Sequence, residues 1–277
     1  MQSRICPGIT NAGSTCFFAS IIQILANTQV PSILSSEAMT RIPNSFFNIL
    51  NIVFQQLLSD HDVTKDLVEH TFAFFPKYNT KVQSDANEFF HYLVHLLGYK
   101  FSYLFAEIHD EIFRCTRCGL QTLKTAYFNQ IELHSNTHFV NINDLLNTYF
   151  SSQFELECLC SQCQINTVHF KRNRFNSLPK YLVLKINYNS QEHMRICRIK
   201  VLQEIKIMLA SGLSQNYKLT GILYYSGNGQ SGHYWSVTFK YGKLRIHNDS
   251  RSGYLKNKTP REYGIDTIFY EKCFPSF

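Results

Sequence analysis

Apolar residues recur with two different spacings along this 277-residue chain, and the change of spacing constrains the fold more than any other feature. In the first part they lie three or four positions apart, which predicts helices over residues 16–28, 44–59 and about 85–97. After residue 180, β-branched and aromatic residues dominate, which predicts strands over residues 181–188, 217–225, 233–241 and 243–247. The sequence therefore predicts an α+β fold in which a helical part precedes an antiparallel sheet.

A cysteine and a histidine occupy chemically suggestive positions in these two parts. Cys16 follows a Gly-Ser-Thr turn and opens the first predicted helix, where unpaired backbone N–H groups and the helix dipole favour a thiolate. A buried structural cysteine is the alternative interpretation for Cys16. His233 begins a predicted strand directly after a loop rich in Gly, Ser and Asn. An early helical cysteine and a late strand histidine are typical of a two-lobed, papain-like cysteine protease.

Two further cysteine pairs have the spacing of a metal site. Cys115 and Cys118 form the first pair, and Cys160 and Cys163 follow after a gap of 41 residues. Two such pairs supply the four thiolates of a tetrahedral structural zinc, so we expect zinc as a structural cofactor and no catalytic cofactor. Cys158 is an alternative ligand to Cys160, although the spacing favours Cys160.

Composition excludes several function classes. Nine cysteines are an odd number, and no apolar region follows Met1, so we expect a reducing location in the cytoplasm or the nucleus. No apolar stretch is long enough to span a membrane. The net charge is +7, but no run of five basic residues concentrates it, and the 23 Phe and 16 Tyr follow apolar-periodic segments. We therefore expect neither a nucleic acid nor a membrane as a partner.

Five separate motifs, in order, resemble the ubiquitin-specific protease family of cysteine deubiquitinases. Residues 8–20, GITNAGSTCFFAS, resemble the segment around the nucleophile, and residues 83–89, QSDANEF, resemble the Q-Q-D-A-x-E-F motif. Leu-Pro before a strand, Gly-His-Tyr followed by His-Asn-Asp-Ser, and Ile-Phe-Tyr-Glu complete the match at residues 178–179, 232–234 with 247–250, and 268–271. The resemblance extends from about residue 5 to residue 272.

The resemblance implies a right-hand arrangement with a helical thumb, a β-sheet palm and zinc-tipped β fingers. Residues 5–272 are then a single catalytic domain. Within it we expect the thumb at about residues 5–100, the fingers at about 101–175 and the palm at about 176–272.

The resemblance also assigns roles to the catalytic residues. Cys16 is the nucleophile, His233 the general base, and Asn248 the group that orients the imidazole, with the adjacent Asp249 as the alternative. Asn11 matches the position whose amide stabilises the oxyanion, and a turn residue is the alternative interpretation.

The expected substrate-binding residues are Gln83, Asp85, Gly232 and Tyr234. Asp85 matches an acidic position that faces the basic C-terminal tail of ubiquitin. Its alternative role is to cap the predicted helix that follows.

The function implied by the resemblance is hydrolysis of the isopeptide or peptide bond after the C-terminal glycine of ubiquitin. The expected partners are ubiquitin and ubiquitinated proteins, and the expected state is a monomer. Proteolysis of another ubiquitin-like modifier is one alternative. A catalytically weak ubiquitin-binding protein is another, because Ser14 and Ala19 each stand where the family pattern has an amide side chain.

Overall fold

The computed structural model describes residues 6–38, 45–151, 154–227, 231–240, 242–255 and 260–273. The helices are α1 (Cys16–Leu25), α2 (Val30–Ala38), α3 (Phe46–Leu58), α4 (Lys65–Phe72), α5 (Ala86–Leu97), α6 (Tyr99–Phe105), α7 (Ile142–Ser151) and α8 (Gln191–Ile196). The first strands are β1 (Glu107–Cys115), β2 (Gln121–Phe128), β3 (Ile131–Ser135), β4 (Phe139–Asn141), β5 (Phe154–Leu159), β6 (Asn166–Ser177) and β7 (Tyr181–Tyr188). The later strands are β8 (Arg198–Lys200), β9 (Glu204–Met208), β10 (Ser214–Gly227), β11 (Gly232–Lys240), β12 (Lys243–Asn248), β13 (Arg251–Tyr254) and β14 (Ile265–Lys272).

The three predicted helices correspond to α1, α3 and α5. Helix α1 ends before Thr28, because the side chains of Asn27 and Thr28 donate to the carbonyls of Gln23 and Leu25. Helix α5 begins after Asp85 and ends at Gly98, whose φ of 79° breaks the helix. The predicted start of the second helix, Asn44, lies outside the described residues.

The four predicted strands correspond to β7, β10, β11 and β12. The bounds of β7 agree with the prediction, whereas β10 is longer at both ends and Tyr241 lies outside the described residues. These strands belong to an eight-stranded sheet, the palm sheet, whose main path runs β13-β12-β11-β10-β14-β7-β3, with β9 paired to β10. Residues 131–135, expected in the fingers, form β3 and pair in parallel with β7 in the palm sheet.

The palm sheet carries a hydrophobic cluster on each face because side chains alternate along a strand. Val183, Leu223 and Phe269 belong to the cluster that holds α1, in which every residue of α1 is buried. Leu184 and Ile222 belong to a second cluster that contains residues of α7 and β9. The helices of the thumb therefore lie against one face of the palm sheet, and α7 lies against the other, where residues of β9 join its cluster.

The fingers form a separate four-stranded sheet of order β2-β1-β6-β5. Its outer strand β2 is exposed at nearly every position, with Leu123 and Tyr127 62% and 72% exposed. The cysteine pairs lie at the ends of its strands. The fingers thus have little apolar core of their own.

No single helix in the described ranges is long and apolar enough to cross a membrane. Helix α1 meets the requirements of length and composition only when it is joined to Val30–Ser36 across an 86° bend.

Candidate active site

Cys16 is the first residue of α1 and lies where the thumb meets the palm sheet. Only 4% of its surface is exposed. The turn before it is fixed by Thr15, whose hydroxyl accepts a hydrogen bond from the Ala12 N–H at 3.0 Å. Gly13 in this turn has a φ of 137°, and an added Cβ would lie 2.3 Å from the Thr80 carbonyl oxygen. The turn therefore requires glycine at this position.

His233 faces Cys16 from the second residue of β11. Its Nε2 lies 2.7 Å from Asn248 Oδ1 at the end of the neighbouring strand β12. Nε2 therefore donates to the amide oxygen, which leaves Nδ1 to face the thiol. The hydrogen bond with the Cys16 thiol, supported by that with Asn248, raises the pKa of His233 to about 9 against the opposing effect of burial. This arrangement favours a positively charged imidazolium beside the sulfur.

The side chain of Asp249 contacts Asn11, whereas that of the neighbouring Asn248 contacts His233. Its φ of 52° turns the chain, and its Oδ2 accepts a hydrogen bond from Asn11 Nδ2 at 3.0 Å. Asn11 Oδ1 in turn accepts from the N–H groups of Gly13 and Thr15 at 3.0 and 3.1 Å. Asn11 is thus held at both ends of its amide, with one Nδ2 hydrogen left to bind another acceptor.

Asp85 is both a helix cap and a bridge across the cleft. Its Oδ1 accepts from the N–H groups of Asn87 and Glu88 at 2.8 and 2.9 Å, as the capping interpretation predicts. Its Oδ2 accepts from the hydroxyl of Tyr234 on β11 at 3.2 Å. Asp85 and Tyr234 therefore connect the thumb to the palm.

Gln83 makes a second connection, to the residue before His233. Its Oε1 accepts from the Gly232 N–H at 2.9 Å, and its Nε2 donates to the Gly232 carbonyl. Both ends of the Gln83 amide are therefore occupied by the protein itself. This geometry positions the start of β11, and the substrate contact of Gln83 and Gly232 stays a prediction.

Two aromatic residues that the sequence analysis did not assign support this region. The ring of Tyr225 lies beneath the cross-strand pair Gly227 and Gly232, and a Cβ on either glycine would come within 2.2 Å of the Tyr225 hydroxyl oxygen. Trp235 stacks at 6.3 Å from the His233 ring. The position of Trp235 beside His233 could have been predicted from the sequence, because residues two apart on a strand share a face.

A cleft of about 400 Å³ extends from this region along the palm. It is lined by Asp85, Tyr225, Tyr234 and Tyr188, together with Lys185 and Asp266. Lys185 Nζ and Asp266 Oδ2 form an ion pair at 2.5 Å. The cleft is open, polar and continuous with the residues that connect thumb and palm.

The four predicted metal ligands converge at the tip of the fingers. The sulfur atoms of Cys115, Cys118, Cys160 and Cys163 all lie within 4.8 Å of one another. A zinc ion with Zn–S bonds of about 2.3 Å separates its sulfur ligands by about 3.8 Å, which fits this cluster. Cys160 Sγ also accepts from the Cys163 N–H at 3.4 Å. The four residues therefore form a group that can bind a metal ion.

Cys158 lies outside this group. Its sulfur is 3.2 Å from Nδ1 of His169, on the neighbouring strand β6. The geometry agrees with Cys160 as the fourth member of the group. Cys158 lies within β5, whereas Cys160 follows the end of that strand. All nine cysteines are free of disulfide bonds.

Comparison with known proteins identifies the family. The sequence model of the ubiquitin carboxyl-terminal hydrolase family matches residues 7–261. A comparison with curated proteins finds no significant match.

Solved structures share the fold. A chain from the SAGA Ubp8/Sgf11/Sus1/Sgf73 DUB module bound to ubiquitin aldehyde superposes with a TM-score of 0.79 and 18% identity, covering 99% of this chain and 71% of that chain. The same module bound to monoubiquitin gives the same values. A yeast structure of the module with a variant Sgf73 gives a TM-score of 0.78 and 17% identity, over 99% and 70% of the two chains. These similarities agree with the predicted thumb, palm and fingers.

Proposed function

Because the chain belongs to the ubiquitin carboxyl-terminal hydrolase family, we propose that it cleaves the bond after the C-terminal glycine of ubiquitin with Cys16 as nucleophile. The observation that carries this proposal is the convergence of Cys16, His233 and Asn248 where the thumb meets the palm, in a chain that matches the family over residues 7–261. The enzyme is thus a cysteine-type deubiquitinase.

The first step is acyl transfer. The Cys16 thiolate attacks the carbonyl carbon of the terminal glycine, and a tetrahedral intermediate forms with negative charge on the former carbonyl oxygen. His233 then gives its Nδ1 proton to the leaving nitrogen, so that the C–N bond breaks and the amine departs. A thioester between Cys16 and the glycine remains. Asn248 holds the ring in the required orientation through Nε2.

Hydrolysis of the thioester reverses the proton transfer. His233 removes a proton from a water molecule, the resulting hydroxide attacks the thioester carbon, and the C–S bond breaks to release a carboxylate. In both steps the free Nδ2 hydrogen of Asn11 can donate to the oxyanion. Asp249 holds the Asn11 amide in the orientation needed for this donation, because the Asp249 carboxylate accepts the other Nδ2 hydrogen.

The departures from the family pattern lie outside these contacts. Ala19 is buried within α1, and Ser14 is bonded through its N–H to the Thr80 carbonyl at 2.6 Å. Within the described ranges, neither residue has a hydrogen bond with His233 or Asn248. This supports an active enzyme over a ubiquitin-binding protein without activity.

We assign the cleft lined by Asp85, Tyr225 and Tyr234 to the extended C-terminal tail of ubiquitin. Asp85 has the charge that suits a basic tail, and its Oδ2 accepts the hydrogen bond of Tyr234 at 3.2 Å. Tail binding in this cleft would bring the terminal glycine to Cys16.

We propose that zinc occupies the four-cysteine group at the tip of the fingers. Four thiolates in a closed set are the ligands of structural zinc and leave no position for substrate or water. The ion would tie the turn between β1 and β2 to the turn between β5 and β6 at the end of the fingers and would take no part in hydrolysis. We also propose a reducing compartment, the cytoplasm or the nucleus, because the nine cysteines are an odd number and four of them converge as a group that can bind a metal ion.

The test uses ubiquitin whose C-terminal carboxylate is replaced by an electrophilic propargyl amide. We expect one covalent adduct on the wild-type protein and none on Cys16→Ala, with the adduct retained in the matched control Cys273→Ala. The same electrophile on other ubiquitin-like modifiers tests the choice of modifier. Labelling of Cys16 by another modifier and not by ubiquitin would reject ubiquitin as the substrate.

A further inference from the structure

An open groove of about 760 Å³ lies where the palm meets the fingers. Helix α7, strand β6 and strand β9 line it, and we call it the palm–fingers groove. Its apolar lining residues Leu146 and Ile207 belong to the hydrophobic cluster on the face of the palm sheet opposite α1. The groove is therefore separate from the cleft that contains Cys16.

The charged residues of the groove are all positive. Arg172 and Arg174 on β6 and Lys206 on β9 line it, and no carboxylate does. Arg174 Nη2 donates to the Ala210 carbonyl at 2.5 Å. Arg172 and Lys206 are exposed and have no ion-pair partner within the described ranges. The nearby Glu111 is already paired with Lys171, so it does not neutralise the groove.

Apolar surface accompanies this charge. Leu146 and Ile207 are buried in the floor, and Phe150 is partly exposed beside them. At the edge, Met208 is 58% exposed, and Leu213 in the adjacent turn is 68% exposed. Solvent-exposed apolar side chains next to unpaired cations are typical of a surface that binds another protein.

A buried acceptor in the same lining lacks a partner. Asn173 is only 8% exposed and lies beside Tyr149. Its Oδ1 has no hydrogen-bond partner in the described part of the chain. A buried amide oxygen without a donor is unfavourable by roughly 1–3 kcal/mol.

We propose that the palm–fingers groove binds an acidic, amphipathic segment of a partner protein. Asp or Glu side chains of the segment would pair with Arg172 and Lys206, and one or two large apolar residues would lie against Phe150 and Met208. Charge complementarity gives such a contact its specificity, and the apolar contact slows its dissociation. Since the groove lies behind the palm sheet, the segment binds without blocking the catalytic cleft.

The test starts from a displayed library of random short peptides selected on the full-length protein. We expect the selected peptides to be enriched in Asp and Glu around one or two large apolar residues. The double variant Arg172→Glu with Lys206→Glu should bind them about tenfold or more weakly, as fluorescence anisotropy measures. High salt should weaken binding to the wild-type protein, because the contacts are exposed.

The matched control is Lys65→Glu with Lys243→Glu, which changes the net charge equally at exposed positions outside the groove. This control should keep wild-type affinity, and hydrolysis of a ubiquitin substrate should be unchanged in both double variants. Equal loss of binding in the two variants, or selected peptides without acidic residues, would overturn the proposal. So would a raised KM for ubiquitin with unchanged peptide binding, since it would place the groove in substrate recognition. Preference for a single-stranded oligonucleotide over the selected peptides would reject a protein partner.

Discussion

The catalytic cleft and the fingers differ in what holds them together. Around the cleft, every residue of α1 is buried, and the hydrogen bonds of Gln83 with Gly232 and of Tyr234 to Asp85 join the thumb to the palm. In the fingers, β2 is largely exposed and the strands converge on four cysteines. Apolar burial therefore stabilises the cleft, whereas the fingers depend on the metal proposed for their tip.

This contrast separates positions where a change alters the rate from positions where it alters the fold. Variants in the cleft should reduce hydrolysis while the thumb and palm stay folded. Loss of the metal should loosen the fingers while the thumb and palm persist.

The largest effect is expected for Asn11→Ala. Loss of an oxyanion donor typically lowers kcat by roughly a hundredfold to a thousandfold, and KM should change little. Steady-state kinetics with a fluorogenic ubiquitin substrate measures both. Asn27→Ala, in the turn at the other end of α1, is the control and should keep kcat. An unchanged kcat for Asn11→Ala would assign Asn11 to the turn alone.

Removal of the metal should have the next largest effect, confined to the fingers. A strong chelator, or Cys115→Ser with Cys118→Ser, should increase amide hydrogen exchange in β1, β2, β5 and β6 and leave α1 and β11 protected. We expect about one equivalent of zinc in the purified protein and loss of it in the variant. Cys158→Ser should keep the zinc, because Cys158 lies beside His169. Global unfolding on chelation would contradict the contrast between the two regions.

Gln83→Ala should lower kcat/KM by roughly tenfold, because two hydrogen bonds to Gly232 are worth about 1–1.5 kcal/mol in positioning. If Gln83 positions His233, the loss should appear in kcat and the affinity for ubiquitin should be retained. Gln55→Ala, on the exposed side of α3, is the matched control. A rise in KM at constant kcat would instead support the substrate contact predicted from the sequence.

The smallest effect concerns the pH profile. Since His233 has a pKa raised to about 9, its imidazolium is fully formed below that value and is lost as the pH rises through it. The alkaline limb of kcat/KM should therefore lie near pH 9. Asn248→Ala removes a hydrogen bond that raises the pKa of His233, so the limb should move to lower pH.

Asp249→Ala provides the comparison for this shift. Its carboxylate contacts Asn11, so the variant should lose maximal rate with a smaller displacement of the limb. A large displacement of the alkaline limb in Asp249→Ala alone would mean that Asp249, and not Asn248, orients His233.

Local features were predictable from the sequence because they depend on neighbours along the chain. The bounds of β7, the cap at Asp85 and the glycine at the end of α5 follow from periodicity and turn chemistry within a few residues. The cysteine pairs could be assigned from spacing, since two residues between ligands suit a metal-binding turn.

Contacts between distant segments required the tertiary structure. Asn248 and Asp249 are adjacent, and only the φ of 52° at Asp249 shows that one faces His233 while the other faces Asn11. Gln83 meets Gly232 across 149 positions, and Cys158 meets His169 in place of the metal group. The sequence alone determined which residues could carry the chemistry and which segments become helix or strand. The tertiary structure decided which of those side chains meet, because packing between segments sets backbone direction where local preferences leave several orientations open.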